Sequence, residues 1–438
     1  MAGAVTSGPS GAASRDYSGA YKAYIVVLLT ALYTTNYADR QLISAVIGLI
    51  KADFGLNDGQ MGMLGGIAFA IFYTTFGIPI AILADRTSRT KIMAVAAAMW
   101  SGFTMLCGLT TNFWQLLLAR IGVGIGEAGG SPPAHSIISD LYEPKQRATA
   151  LAVYATGVPF GVALALFVGA PIAVAHGWQA AFIWLGVPGL VLSALLLLTV
   201  REPRRGMSER RTESAEAAQT LSVWHILKFM LSQPAMRHVL TGATIVTLVG
   251  YAGVMWNLEF LIRSHGLGRV EASYYLGVVA IIAGVLGTFL GGALSDWLGK
   301  RDPRWNSWIV ALLFLIGLPP ALLAFSTQSF ATLQWLLPIP VFVSGAYLAP
   351  TFAMTQNLVG IRMRAMASAL LLFAINLIGM GVGPWLAGVL SDYFSADYGV
   401  HALRHALFVL AFLNICGIVH YFLAGRSLIA GYERAARS

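Results

Sequence analysis

Twelve apolar runs, each long enough as a helix to cross the roughly 30 Å hydrocarbon layer of a bilayer, divide this chain of 438 residues. They fall at about 22–49, 59–84, 91–109, 113–141, 147–173, 178–200, 236–262, 271–298, 305–327, 331–358, 365–391 and 402–424. Backbone polar groups find no partner in lipid, so such a chain must satisfy them within helices or a closed barrel. The runs are continuous and not alternating, which excludes a β-barrel pattern. The expected fold class is an all-α polytopic membrane protein with twelve transmembrane helices. Charged residues are only 11% of the chain, which excludes an ordinary soluble enzyme.

A polar gap splits the runs six and six. It holds Arg201, Arg204, Arg205, Arg210 and Arg211 with several glutamates. The expected organisation is a disordered tail over 1–21, a six-helix bundle over 22–200 and a linker over 201–235 with room for an amphipathic helix. A second six-helix bundle over 236–425 and a tail over 426–438 complete it. Lys and Arg decide the orientation. One side holds Arg86, Arg89, Lys91, Lys145, Arg147, the linker, Lys300, Arg301, Arg304, Arg362, Arg364 and Arg426. The other holds only Lys51, Arg263, Arg269 and Arg404. The positive-inside rule places both termini in the cytoplasm of a cell whose plasma (inner) membrane the chain spans. Topology also accounts for the net charge of +9, so no nucleic-acid partner is expected. Cys107 and Cys416 lie within apolar runs, and no metal-ligand spacing or cofactor motif occurs.

The two halves repeat. The stretch Ala81–Lys91, with Asp85, Arg86 and Arg89, recurs after the eighth run as Gly292 to Arg301, with Asp296. Arg147-Ala-Thr-Ala, opening the fifth run, recurs as Arg364-Ala-Met-Ala, opening the eleventh. The Gly157–Gly161 segment, with Pro159, has a counterpart in Gly379–Pro384. Two parallel six-helix halves around a cavity form a known transporter plan that works by rocking of the halves.

Two runs carry charge at membrane depth. Asp39-Arg40 interrupts the first, and Arg120 and Glu127 sit in the glycine-rich fourth. Seven residues are about two helical turns, so Arg120 and Glu127 share a face. Measured from the outer ends of their helices, Asp39 lies about 15 Å deep, Arg120 about 13 Å and Glu127 about 24 Å. Asp39 and Arg120 are therefore expected to pair, and the first and fourth helices to face each other around the working site. A carboxylate desolvated at Glu127 favours its protonated form unless Arg40 or Arg120 compensates. Glu127 is the expected proton carrier and Asp39 a secondary titrating group. Arg40 and Arg120 are their partners or a clamp for an anionic head group. The alternative is a buried ion network that only locks two helices together.

Softer candidates surround these. Asn36, Tyr37, Tyr33 and Asn376 line a cavity or bond neighbouring helices. His135 titrates or simply packs. Pro132-Pro133 makes a hinge or a static kink. Trp256, Asn257 and Glu259 form an outer gate or an interfacial anchor. At the basic end, Asp85 is placed to cap a helix of the opposite half. Arg86 and Arg89 are placed to pair with Asp140, and Asp296 and Arg301 repeat the arrangement. Together these six would form a cytoplasmic gate.

At these residues the chain resembles the major facilitator superfamily over nearly its whole length. The family's loop signature, G-x-x-x-D-R-x-G-R-[RK], is matched at Asp85, Arg86 and Arg89, with Ala81 and Ser88 in place of its glycines. Asn36-Tyr-Ala-Asp39-Arg40, Arg120-x-Gly-x-Gly-x-Gly126-Glu127-Ala and Asn376 to Pro384 are similar to the spinster branch. The resemblance implies the major facilitator fold, two pseudo-symmetric six-helix bundles. It further implies proton-driven movement of a lysophospholipid or a sphingosine 1-phosphate-like anion. A multidrug or small organic-anion transporter of the same fold is the alternative. A membrane enzyme finds no HExxH or GxSxG, and an ATP-driven pump finds no phosphate-binding loop motif. Each half buries its polar groups against the other, so a monomer is expected.

Overall fold

A computed structural model describes residues 17–207 and 222–437, and every regular element among them is helical. Among the described residues nine stretches are long and apolar enough to cross a membrane. The longest, Ile361–Ala436, holds two rods. It turns back at Gly399, whose φ of 52° is a region that only glycine enters without strain. Two more rods bring the set to twelve. The first, α1 (Gly19–Phe54), carries Asp39 and Arg40 near its middle. The other, α4 (113–141), is two helices, Phe113–Glu127 and Ser131–Leu141, broken just past Glu127. The prolines Pro132 and Pro133 do not cause that break from within. They sit in the first turn of the second helix, where a missing N–H costs nothing.

The first half comprises α1, α2 (58–86), α3 (Arg89–Cys107), α4, α5 (144–176) and α6 (Trp178–Thr199). The second comprises α7 (Pro234–His265), α8 (Arg269–Gly299), α9 (Trp305–Ser326), α10 (Phe330–Asn357), α11 (364–398) and α12 (402–436). A short linker helix, Val223–Ser232, rests on the second half through Ile226 and Met230. The expected tails and linker lie partly outside the described residues, at 1–16, 208–221 and 438. Within the described residues they are more helical than expected. Ser18 caps α1 by accepting the Tyr21 N–H at 3.2 Å, and α12 runs on to Ala436.

Six helices meet across the two halves; α1 and α7 are continuous, and the other four have interrupted backbones. α2 breaks at Gly66, and wide π turns occur at Ala165–Gly169 in α5, Ala280–Gly284 in α8 and Ile375–Met380 in α11. Such turns collect at functional places in helices. The halves pack at mid-depth and at the end away from the basic loops. There a Cβ on Gly62 would meet the Pro384 carbonyl, and one on Gly388 the Asp58 carbonyl, so α2 and α11 touch main chain to main chain. Towards the basic end, 131–155 of one half and 285–299 and 364–374 of the other have no substantial packing across the divide. The molecule is closed at one end and parted at the other.

Candidate functional site

Glycines let the charged helix α4 sit deep in its half. Gly122 admits the ring of Phe103, Gly126 the main chain of Trp100, and Gly124 the carbonyl of Phe69. At this close approach the side chains of Arg120 and Glu127 are shut away from solvent. Glu127 meets Arg40 from α1. The Arg40 Nε and Nη2 both donate to Glu127 Oε2, at 3.0 and 2.6 Å. The guanidinium also lies 4.8–4.9 Å from the rings of Tyr37, Phe69 and Tyr73, a three-sided aromatic box. The second carboxylate oxygen, Glu127 Oε1, is buried without a hydrogen-bond partner among the described residues, with Asn36 beside it.

The expected pairing of Asp39 with Arg120 does not form. Arg120 donates instead to the main-chain oxygen of Asp39, at 3.5 Å, and its guanidinium stands 5.5 Å from the Phe69 ring. Both carboxylate oxygens of Asp39 are buried without a hydrogen-bond partner among the described residues, next to Thr104 and Cys107 of α3. The reason is helical geometry. Adjacent residues point about 100° apart, so when Arg40 reaches Glu127, Asp39 is turned into the core of its own half.

The remaining candidates divide. Tyr33 stacks on Tyr154 at 4.4 Å and meets Tyr37 edge-on at 5.1 Å, and Tyr154 in turn meets His135 at 5.4 Å. A line of rings thus runs from exposed His135 towards Arg40. Asn376 lies in the π turn of α11, in the other half, without a side-chain hydrogen bond among the described residues. That half contributes a group sequence reasoning missed, Tyr251 of α7, within electrostatic reach of Arg40.

At the basic end, Arg89 anchors a cluster within the first half. It pairs with Asp140, donates to Ser136 Oγ at 2.7 Å and to Glu202 Oε1 at 2.8 Å, and caps the Pro203 carbonyl at 2.7 Å. Arg86 does not join Asp140. It is exposed and has no ion pair among the described residues, because the turn at Thr87-Ser88 sends it outward. The expected capping by Asp85 concerns a side chain outside the described ones. In the second half the arrangement is not repeated: Asp296 is exposed, and Arg301 lies 4.6 Å from the ring of its neighbour Trp297. Glu202 and the start of the linker, missed from sequence, complete the first-half cluster. Burial alone would raise the Glu202 carboxyl, but the Thr90 N–H, Arg89 and Ser88 hold it below the ordinary range.

The closed end carries a latch that sequence reasoning touched at Trp256 and Glu259 and otherwise missed. Asp58, opening α2, receives Arg263 of α7 at 2.7 and 3.0 Å, Lys51 at 2.6 Å and Ser391 of α11 at 2.7 Å. Asp392 of α11 accepts the N–H groups of Asp58 and Gly59, at 2.9 and 2.7 Å, and so caps α2 from the opposite half. Glu259 pairs with Arg269 at 2.7 Å and accepts the Gly48 N–H at 3.1 Å. Trp256 donates to the Pro384 carbonyl at 2.8 Å. The clue lay in the few cations of this side, which needed acids to meet.

The comparisons with known proteins agree with this architecture. The family model for the Major Facilitator Superfamily matches residues 29–377. An MFS-type efflux pump of Mycolicibacterium smegmatis is 36% identical over 426 residues, covering 95% of this chain and 97% of that protein. Spinster homolog 1 of Xenopus laevis is 29% identical, over 91% of this chain and 80% of that protein. The crystal structure of a bacterial homologue of the human lysosomal transporter spinster, inward-facing and unoccupied, superposes with a TM-score of 0.86. It is 31% identical and covers 95% of this chain and 99% of its own. Two six-helix halves, closed at one end over a buried ion pair, are thus the frame of a transporter related to spinster, and the chain belongs to the major facilitator superfamily.

Proposed function

We propose that the chain is a proton-coupled secondary transporter that moves an amphipathic, lipid-like anion by alternating access. The observation that carries this reading is the Arg40–Glu127 pair, held in an aromatic box with one carboxylate oxygen unpartnered. A phosphate or carboxylate head group offers a guanidinium the same two-oxygen edge that Glu127 offers. Protonation of Glu127 and arrival of an anion on Arg40 are then two sides of one exchange. Asp39 is the secondary titrating group, and Arg120 balances it. Asn36, Tyr33, Tyr37 and His135 line the approach, and Asn376 faces it from the second half. Arg89 and Asp140, with Asp85, Arg86, Asp296 and Arg301, serve the cytoplasmic gate, parted here while the Asp58 latch is shut. Both termini lie in the cytoplasm, the membrane is the plasma (inner) membrane, and the transporter works as a monomer.

The relationship to spinster supports a lysophospholipid or a sphingosine 1-phosphate-like substrate. A second reading, export of a drug or small organic anion, is favoured by the full-length likeness to the mycobacterial efflux pump. Labelled lysophospholipid uptake into proteoliposomes, with and without an imposed pH gradient, tests both. Gradient-driven transport that Glu127→Gln abolishes, with exchange at equal pH retained, is the expected result. Transport indifferent to gradient and substitution would reduce the four charges to a structural lock. Competition by an organic anion, with no lysophospholipid movement, would support the second reading.

A further inference from the structure

Of the four cations expected at the sparsely charged end, three have acids: Lys51 and Arg263 pair with Asp58, and Arg269 pairs with Glu259. Arg404, opening α12, has none among the described residues. It is 7% exposed, its Nη2 donates to the Ser264 carbonyl at 3.3 Å, its guanidinium lies 6.0 Å from the Phe260 ring, and its Nε is buried without a hydrogen-bond partner among the described residues. Next to it the Ser264 hydroxyl is likewise buried, without a hydrogen-bond partner among the described residues. Native proteins rarely leave one such group, and here two sit side by side on a cation with no ion pair among the described residues. Arg404 and Ser264 face a cavity of about 760 Å³ formed by α7, α9, α11 and α12. It lies within the second half, apart from the Arg40–Glu127 pair.

We propose that this cavity binds an amphipathic oxyanion, a carboxylate or phosphate monoester joined to an apolar group. Water could solvate the open edge of the guanidinium but would leave its charge unbalanced. An oxyanion balances it, accepting from Arg404 Nη1, the guanidinium nitrogen neither sealed nor bonded among the described residues. The volume far exceeds a single phosphate, and Phe325 and Tyr398 supply apolar wall for the rest of the molecule. His401 and His405 add donors at the rim. Asp397, exposed on the same rim, makes no ion pair with Arg404. The argument does not depend on the proposed transport function.

The test is calorimetric titration of the full chain in discs of neutral lipid with octyl phosphate and with inorganic phosphate. Octyl phosphate should bind the wild type. Arg404→Gln should weaken it by about ten- to a hundredfold, the loss typical of a buried charged hydrogen bond. Arg40→Gln should leave the Arg404-dependent binding in place. Tyr398→Ala, which keeps the charge, should weaken octyl phosphate while leaving inorganic phosphate unchanged, and it carries the test should Arg404→Gln fail to fold. Discs with anionic phospholipid distinguish the source. Loss of octyl phosphate binding there assigns the site to a lipid head group, and retention assigns it to a soluble anion. Equal binding by wild type, Arg404→Gln and Tyr398→Ala, or no binding by the wild type in either disc, overturns the proposal.

Discussion

Arg40 is held by three rings and one carboxylate, and each contact uses a different property of the guanidinium: its faces against Tyr37, Phe69 and Tyr73, its edge against Glu127. Lysine keeps the charge but has neither the planar face nor the fork. Arg40→Lys should therefore cost transport at least tenfold while leaving the purified protein folded, measured by proteoliposome uptake alongside a thermal melt. The charges themselves were legible in the sequence, because ionisable residues inside apolar runs are costly and rarely idle. Their partners were not. A depth estimate treats a helix as a line, so it matched Asp39 to Arg120 by height and missed the direction in which each side chain leaves its helix. Tyr251 was invisible for a related reason: one tyrosine among sixteen, it gains meaning only once α7 is packed against α1.

Hydropathy located the twelve helices, yet the interruptions within them came from elsewhere. Gly66 and the π turns of α5, α8 and α11 arise where helices of opposite halves press together, a tertiary cause that a single run of sequence does not display. The seam between α2 and α11 gives a direct check. Gly388→Ala would set a methyl group against the Asp58 carbonyl and wedge the closed end apart. Cysteine labelling at Gly59→Cys should become faster in that variant, and net transport should fall. Arg263→Gln should act in the same direction by removing two hydrogen bonds from Asp58. At the other end, the linker start is stitched to α3 through Glu202. A carboxyl held below its ordinary range contributes stability above its unfolded value, near pH 4.3, and loses it as pH falls through the lower folded value. Proteolysis between Arg204 and Arg205 should thus accelerate at a pH below about 4. Glu202→Gln should show fast cleavage already at neutral pH and little further change on acidification.

The two halves share an end-to-end repeat that the sequence displays in Arg147 and Arg364, but they are not equivalent in the folded molecule. The first half carries the ion pair and the anchored linker start, while the second carries the amphipathic linker helix and the Arg404 cavity. That asymmetry lay beyond sequence reasoning because it depends on which copy of each motif finds a partner: Arg89 does, with Asp140, whereas among the described residues Arg301 meets its neighbour Trp297 and no acid. The exchange proposed for the Arg40–Glu127 pair also has an electrical consequence for the whole machine. A guanidinium stays charged at any physiological pH. The empty site, with Glu127 ionised, is therefore neutral, and so is a site holding one proton on Glu127 and one monoanion on Arg40. Both forms can pass between the two openings without carrying charge through the bilayer. Uptake of a monoanionic substrate should not change when the membrane potential is clamped with potassium and valinomycin, whereas a doubly charged analogue should meet a bias of about 2.3 kcal/mol per 100 mV. A device driven by the pH gradient alone would keep working in a cell whose membrane voltage has collapsed.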